Sequence, residues 1–206
     1  MTDMKRITVI LILALFFCTS VFGYNLLIEE EADFDSSCQS DFDGDGITDK
    51  VELIKLEPAN LFQCTRGKAV IKLISKGRIF TKKLEPISVE NCGVGVLVID
   101  DKTTPFIVFY SHSQWLIDIW EVTLYSFNGK RIVGEARINS DKHSIEVKDV
   151  DGNGVKDIVA LCRYDANSIE SDTLIQTYKY IDDRWRLKSI YRPKTKENIP
   201  VNSWIR

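Results

Sequence analysis

Two stretches of this chain, Asp41-Phe42-Asp43-Gly44-Asp45-Gly46-Ile47-Thr48-Asp49 and Asp149-Val150-Asp151-Gly152-Asn153-Gly154-Val155-Lys156-Asp157, set oxygen-bearing side chains at alternate positions with glycines between them. Crowding carboxylates in this way forces like charges together, a cost that a hard cation offsets. Calcium takes six to eight oxygens at ~2.3–2.6 Å, and tight glycine turns let alternate residues converge on one point. In the first loop the expected ligands are Asp41, Asp43, Asp45, the carbonyl of Ile47, Asp49 directly or through water, and Glu52 at the twelfth position. The second loop offers Asp149, Asp151, the amide oxygen of Asn153, the carbonyl of Val155, and Asp157, but its twelfth residue is Ala160, which predicts weaker binding. The competing reading is a pair of Asp/Asn/Gly turns that hold no metal, since the same residues dominate ordinary turns.

The start of the chain indicates where such a metal would be met. Lys5 and Arg6 precede an apolar run from Ile7 to Phe17, and Cys18 to Gly23 follow with small residues. This is the pattern of a secretory signal, with cleavage expected after Gly23 and Met4 as an alternative start. The apolar stretch is shorter than the ~20 residues of a spanning helix, so a membrane anchor is the lesser reading. Phe17 before Cys18 argues against lipid attachment there. Residues 24–206 then form one β-rich calcium-binding domain of about three units, long enough to bury its own core.

The 206 residues carry 30 Asp and Glu against 27 Lys and Arg, a formal net charge of −3, with the excess concentrated in the two loops. That balance argues against nucleic acid and against a basic membrane-binding surface. The basic segment Arg184 to Lys196 reads as a solvated face. Cys38, Cys64, Cys92 and Cys162 remain after cleavage, an even number suited to an oxidising compartment; the preferred pairing is Cys38–Cys64 with Cys92–Cys162. No Cys/His cluster points to zinc. The absence of an Asn-x-Ser/Thr acceptor leans toward a periplasmic or secreted bacterial protein.

Between the loops, segments rich in Val, Ile, Tyr, Phe and Trp predict strands over Lys68–Ser75, Gly77–Leu84, Val94–Ile99, Pro105–Tyr110, Ile117–Phe127, Arg131–Ile138, Ser144–Val147, Ile158–Arg163, Thr173–Ile181 and Trp185–Ile190. Asp49 to Leu56 fits either a short helix stopped by Pro58 or a strand leaving the loop. Overlaying Ile145–Leu161 on Val96–Tyr110 aligns the second loop with a shortened one, and both are followed by strand, turn and strand. The first loop with Lys68–Leu84 gives a third unit, so three units recur at a spacing of roughly fifty residues, as in blade-like antiparallel sheets.

The Asp-x-Asp-Gly-(Asp/Asn)-Gly-x-x-Asp loop between strands, with an aromatic-bearing hairpin after it, resembles the FG-GAP and VCBS family of extracellular blade repeats. The Phe-Gly and Gly-Ala-Pro elements of FG-GAP are missing. The resemblance implies an all-β fold, a partial β-propeller or irregular sandwich, with calcium at the sheet edges. The first loop with Glu52 also resembles bacterial thrombospondin type-3-like and dockerin-like repeats, whereas strands around the second loop argue against paired EF-hands.

Catalytic signals are sparse. His112 and His143 lie in no nucleophile or zinc motif, and Ser111-His112-Ser113 places hydroxyls beside an imidazole without aligning them. Asp118, Glu121 and Glu135 have no context that marks a glycosidase pair. Trp120 and Trp185 read as core, Trp115 as a possible exposed anchor. The expectation is an exported, non-enzymatic calcium-binding protein with a protein partner, in the form of a periplasmic inhibitor or immunity protein against a cell-wall hydrolase or toxin. The alternative is a calcium-dependent secreted hydrolase or a glycan-binding module, which requires an open metal position beside a cleft.

Overall fold

The computed structural model describes residues 35–58, 60, 66–86, 88–113, 119–140, 145–163 and 172–201. The expected signal segment 1–23, Cys64, Trp115, Asp118, His143 and Trp204 lie outside them. The described chain is all-β: thirteen strands in three antiparallel sheets, without an α-helix among the described residues.

The first sheet comprises β1 (Ser37–Ser40), β2 (Asp49–Glu57), β3 (Lys68–Ser75) and β4 (Arg78–Leu84), hydrogen-bonded in that order. The middle sheet repeats this plan with β5 (Cys92–Leu97), β6 (Phe106–Ser113), β7 (Ile119–Phe127) and β8 (Ile132–Ser140). The third does so with β9 (Ile145–Lys148), β10 (Asp157–Arg163), β11 (Thr173–Ile181) and β12 (Arg184–Arg192), and adds β13 (Glu197–Ile199) at its edge. Each sheet therefore runs strand, loop, strand, strand, turn, strand. The Asp49–Leu56 segment resolves as the strand β2, because Val51 and Leu53 bury alternate positions against the middle sheet. The short polar strand β1 and the terminal β13 carry too little apolar signal to be read from sequence.

The sheets stack face on face with the middle one enclosed. Strand β6 divides its side chains between two cores: Phe106, Val108 and Tyr110 enter the core shared with the third sheet, Ile107 and Phe109 the core shared with the first. Both faces of β6 are covered, so its sequence is a continuous apolar run rather than an alternation. Outer sheets alternate instead, as in β3, where Ala69, Ile71 and Leu73 are buried and Val70 and Lys72 are half-buried. Polar ties join the layers: Val94 N donates to Asp35 O at 2.9 Å, Lys156 N to Ile99 O at 3.0 Å, and Ser140 Oγ to Leu161 O at 2.5 Å.

Trp120 and Trp185 are both core, as their strand positions predict, and Trp120 lies parallel to His112 with ring centroids 4.0 Å apart. The expected Cys92–Cys162 disulfide is not formed, and Cys64 of the other expected pair lies outside the described residues. Cys92 begins a strand of the middle sheet and donates to Val89 O, whereas Cys162 on β10 of the third sheet donates to Asn139 O. The Cys38 thiol donates to Gly95 O at 3.4 Å, and burial pushes it up to about 12. Strand pairing has placed these cysteines on different sheets, and an even count in the sequence carries no information about that.

Gly93 is closely covered by its strand partner Tyr110 and by the backbone of Asp35. A Cβ there would lie 2.7 Å from the Tyr110 hydroxyl and 2.8 Å from Asp35 O. Gly93→Ala is expected to destabilise the fold by about 1–3 kcal/mol, whereas Gly95→Ala, whose nearest neighbour would be at 3.8 Å, should be near neutral. Chemical denaturation of the two variants checks this, and equal midpoints would contradict it.

Candidate metal centres

Each long loop connects the first two strands of an outer sheet, and the two loops fold by one hydrogen-bond plan. In the first, Asp41 Oδ1 accepts from Gly44 N and Asp45 N at 2.8 and 3.0 Å, and its Oδ2 accepts from Gly46 N at 2.7 Å. Asp45 Oδ1 accepts from Ile47 N at 2.8 Å, and Asp49 Oδ2 closes the loop by accepting from Phe42 N at 3.0 Å. In the second, Asp149 accepts from Gly152, Asn153 and Gly154, Asn153 Oδ1 from Val155 N, and Asp157 Oδ2 from Val150 N. The left-handed turns this requires fall on Gly44 and Gly46, at φ of 74° and 85°, and on their counterparts Gly152 and Gly154 at 73° and 83°.

The consequence is a convergence of carboxylates. Asp41, Asp43 and Asp49 bring ligand atoms within 4.8 Å of one another, and so do Asp149, Asp151 and Asp157. Either group could hold a metal ion. In the first loop, Asp43 Oδ1 and Asp49 Oδ1 are buried and accept no hydrogen bond. An anionic oxygen stripped of both water and donors is a costly arrangement that a bound cation relieves. The donor set is entirely oxygen, which suits calcium or magnesium rather than a soft transition metal.

Electrostatics of the two groups differ. Burial, followed by the neighbouring charge of Asp45, pushes Asp43 above the usual carboxylate range. Lys76, from the β3–β4 turn, draws Asp45 below it by direct contact. In the second loop three backbone N–H groups, led by Gly154, hold Asp149 low, while Lys179 of β11 contacts Asp151 at 2.6 Å and Asp157 at 3.2 Å. The second group is also the more open: the Asp151 side chain is 48% exposed, that of Asp43 only 10%.

Of the other expected ligands, Asp45 and Asn153 cap their loops through backbone N–H groups, and Ile47 and Val155 occupy the seventh positions. Glu52 stands apart from its carboxylate group. Leaving the loop as a strand rather than a helix carries the residue three beyond Asp49 about 10 Å onward and onto the opposite face. There Glu52 bridges Lys50 at 2.8 Å and Lys72 at 2.9 Å. Those two lysines, Lys50 foremost, hold its carboxyl down at about 2 from an ordinary 4.5. A depressed carboxylate stabilises the fold above the ordinary value and loses that contribution as pH falls from about 4.5 toward 2. Glu52→Gln is therefore expected to reduce acid tolerance in that window while leaving cation affinity of the first loop unchanged. A pH titration of unfolding beside a binding isotherm checks both halves.

A third, shortened loop lies between them in the middle sheet. Asp100 Oδ1 accepts from Lys102 N at 2.9 Å and Thr103 N at 2.6 Å, as Asp41 and Asp149 accept in their loops. It touches both neighbours: Thr104 lies against Gly44, and Ile99 O accepts from Lys156 N. The three loops thus share one end of the stack. A cleft of about 360 Å³ opens there between Asp100–Lys102 and Asn153–Lys156, and Asp149, Asp151 and Asp157 do not line it.

Among the described residues, the others singled out in the sequence are not brought together as a catalytic group. Ser111 and Ser113 share one face of β6 and His112 takes the other, so these neighbours point apart. Ser126 Oγ donates to Glu135 at 2.5 Å. Glu121 is buried against Arg137, an environment that a strand-to-strand pairing creates and that no local motif signals. No family model, curated protein or solved structure matches the chain.

Proposed function

We propose that this chain is an exported, non-enzymatic calcium-binding protein whose loop end docks a protein partner. The observation that carries the metal assignment is the pair of buried, undonated oxygens, Asp43 Oδ1 and Asp49 Oδ1, inside a loop whose aspartates otherwise accept from backbone N–H groups, with Lys76 on Asp45. In this reading Asp41, Asp43 and Asp49 hold one calcium and Asp149, Asp151 and Asp157 the other, with Asp45, Asn153 and the carbonyls of Ile47 and Val155 completing the shells. The ion supplies charge neutralisation; the residues fix where three sheets meet. Blade repeats of the FG-GAP and VCBS kind are the architecture that fits this use of calcium.

The partner assignment is supported by the exposed apolar side chains around these loops. Ile47 is 52% exposed, Val150 50% and Val98, just ahead of the shortened loop, 44%. Apolar tips held on rigid loops suit recognition of a protein surface. The form we assign is an inhibitor or immunity protein against a cell-wall hydrolase or toxin met in the periplasm or outside the cell.

The test is capture from an envelope extract on immobilised protein, in calcium and again in chelator. One hydrolase or toxin retained with calcium and released without it is expected. Retention of glycans alone would overturn the proposal.

A further inference from the structure

The end of the stack away from the acidic loops carries a second cleft, of about 310 Å³, between the first and middle sheets. Its position comes from register: Leu84 pairs with Ala69, and Ala69 with Lys55, far along β2 from Asp49. Glu121 pairs with Ser111, near the end of β6. The length of the strands therefore separates the cleft from the metal loops, and its chemistry is independent of whether those loops hold a cation.

Charge in this cleft is arranged unequally. Glu121 forms its floor, with a side chain only 4% exposed, and Arg137 of β8 contacts its Oε2. Arg66, just ahead of β3, approaches the same oxygen at 3.9 Å, too far for a hydrogen bond. Both guanidinium groups remain about half exposed to the opening. Lys83 and Glu85 also border the opening, Lys83 on the strand face opposite the buried Leu84, so the charges set into the cleft are those of Arg66, Arg137 and Glu121, one positive in excess. Tyr125 on β7 brings a hydroxyl that burial and the nearby Glu121 keep protonated, with its ionisation pushed up to about 12. A neutral phenol beside two half-used guanidinium forks makes a donor-rich wall above the Glu121 carboxylate.

We propose that this cleft binds a small monocarboxylate, taken by the outward donors of Arg66 and Arg137. The planar guanidinium fork matches a carboxylate in a bidentate manner. Single charge is selected because the Glu121 carboxylate already in the floor repels a dianion, and the excess of one cation balances a monoanion. The volume admits a small molecule of a few to a dozen heavy atoms or one chain end. Such a carboxylate could come from a peptide terminus or from an acidic sugar, and the chemistry is shared.

The experiment is an NMR titration of the full chain in calcium-containing buffer with four probes and one rival. N-acetylglycine and glucuronate carry the carboxylate; N-acetylglycinamide and glucose are their neutral counterparts; inorganic phosphate is the rival. At least one carboxylate is expected to shift the amides of Glu121, Tyr125 and Arg137 with a dissociation constant in the millimolar range or tighter, and neither neutral probe should. The carboxylate that binds identifies the source. Arg66→Gln, at an exposed position, should weaken binding by roughly tenfold for loss of a charged hydrogen bond. Glu121→Gln should tighten it by removing the competing charge. Absence of binding by both carboxylates, tighter binding of phosphate than of either, or an affinity indifferent to Arg66→Gln would overturn the proposal.

Discussion

Protein stripped of calcium is expected to melt roughly 5–10 °C below protein in saturating calcium for each loop that binds. A ligand at a hundred times its dissociation constant adds ~2.7 kcal/mol to the folded state, and in a domain of this size each kcal/mol moves the melting point by ~2–4 °C. The Asp49→Asn variant isolates the first loop's share. Asp49 is 1% exposed, and one of its oxygens accepts from Phe42 N, which an asparagine amide oxygen continues to do. What asparagine removes is the charge and the second, undonated oxygen. Asp49→Asn should therefore lose the first loop's calcium increment and yet, in chelator, melt no lower than the parent chain, since crowding of Asp41, Asp43 and Asp49 has been relieved. Asp157→Asn is the matching variant of the second loop. The first loop should be the tighter of the two, but not for the reason its twelfth residue implies. Glu52 is held on the far face by two lysines, and the advantage lies instead in the burial of Asp43 and in a fourth carboxylate, Asp45, where the second loop has Asn153. Calorimetric scans of the three proteins with and without calcium decide the matter; identical curves in both buffers would end the metal assignment.

Phe42→Ala should cost about 3–5 kcal/mol, the range for deleting a fully buried aromatic ring. Phe42 occupies the second position of the first loop and is 0% exposed, packed in the core that joins the first and middle sheets. Its backbone N–H donates to Asp49, so the same residue anchors the loop to the core and closes the carboxylate group. Calcium affinity of the first loop should fall together with stability, while the second loop keeps its own. Val150 is the equivalent residue there and is half exposed, so Val150→Ala should stay within about 0.5 kcal/mol of the parent. Denaturant unfolding and calcium isotherms on both variants test the asymmetry. Equal losses from Phe42→Ala and Val150→Ala would show that the loop is not keyed into the core.

Most of the strands, though not β1 or β13 and with β2 left open between strand and helix, the two acidic loops and the threefold order of elements are legible in the residues alone. These are local properties: β-branched and aromatic runs, glycines that reach positive φ, and aspartates that fold back onto the next few N–H groups act over fewer than ten residues. The Asp100 turn could be aligned with Asp149 for the same reason, although its loop has lost the glycines. Everything else came from pairing and stacking. Which cysteines lie near one another, and that Glu52 faces away from its loop, depend on strand partners and on the two-residue period of a sheet. The burial of Glu121 between Arg66 and Arg137 joins residues 55 and 16 positions from it in sequence across two sheets. That β6 is covered on both faces, making the middle sheet the shared wall of two cores, is a product of layer packing, because a continuous apolar run does not say how many neighbours will cover it.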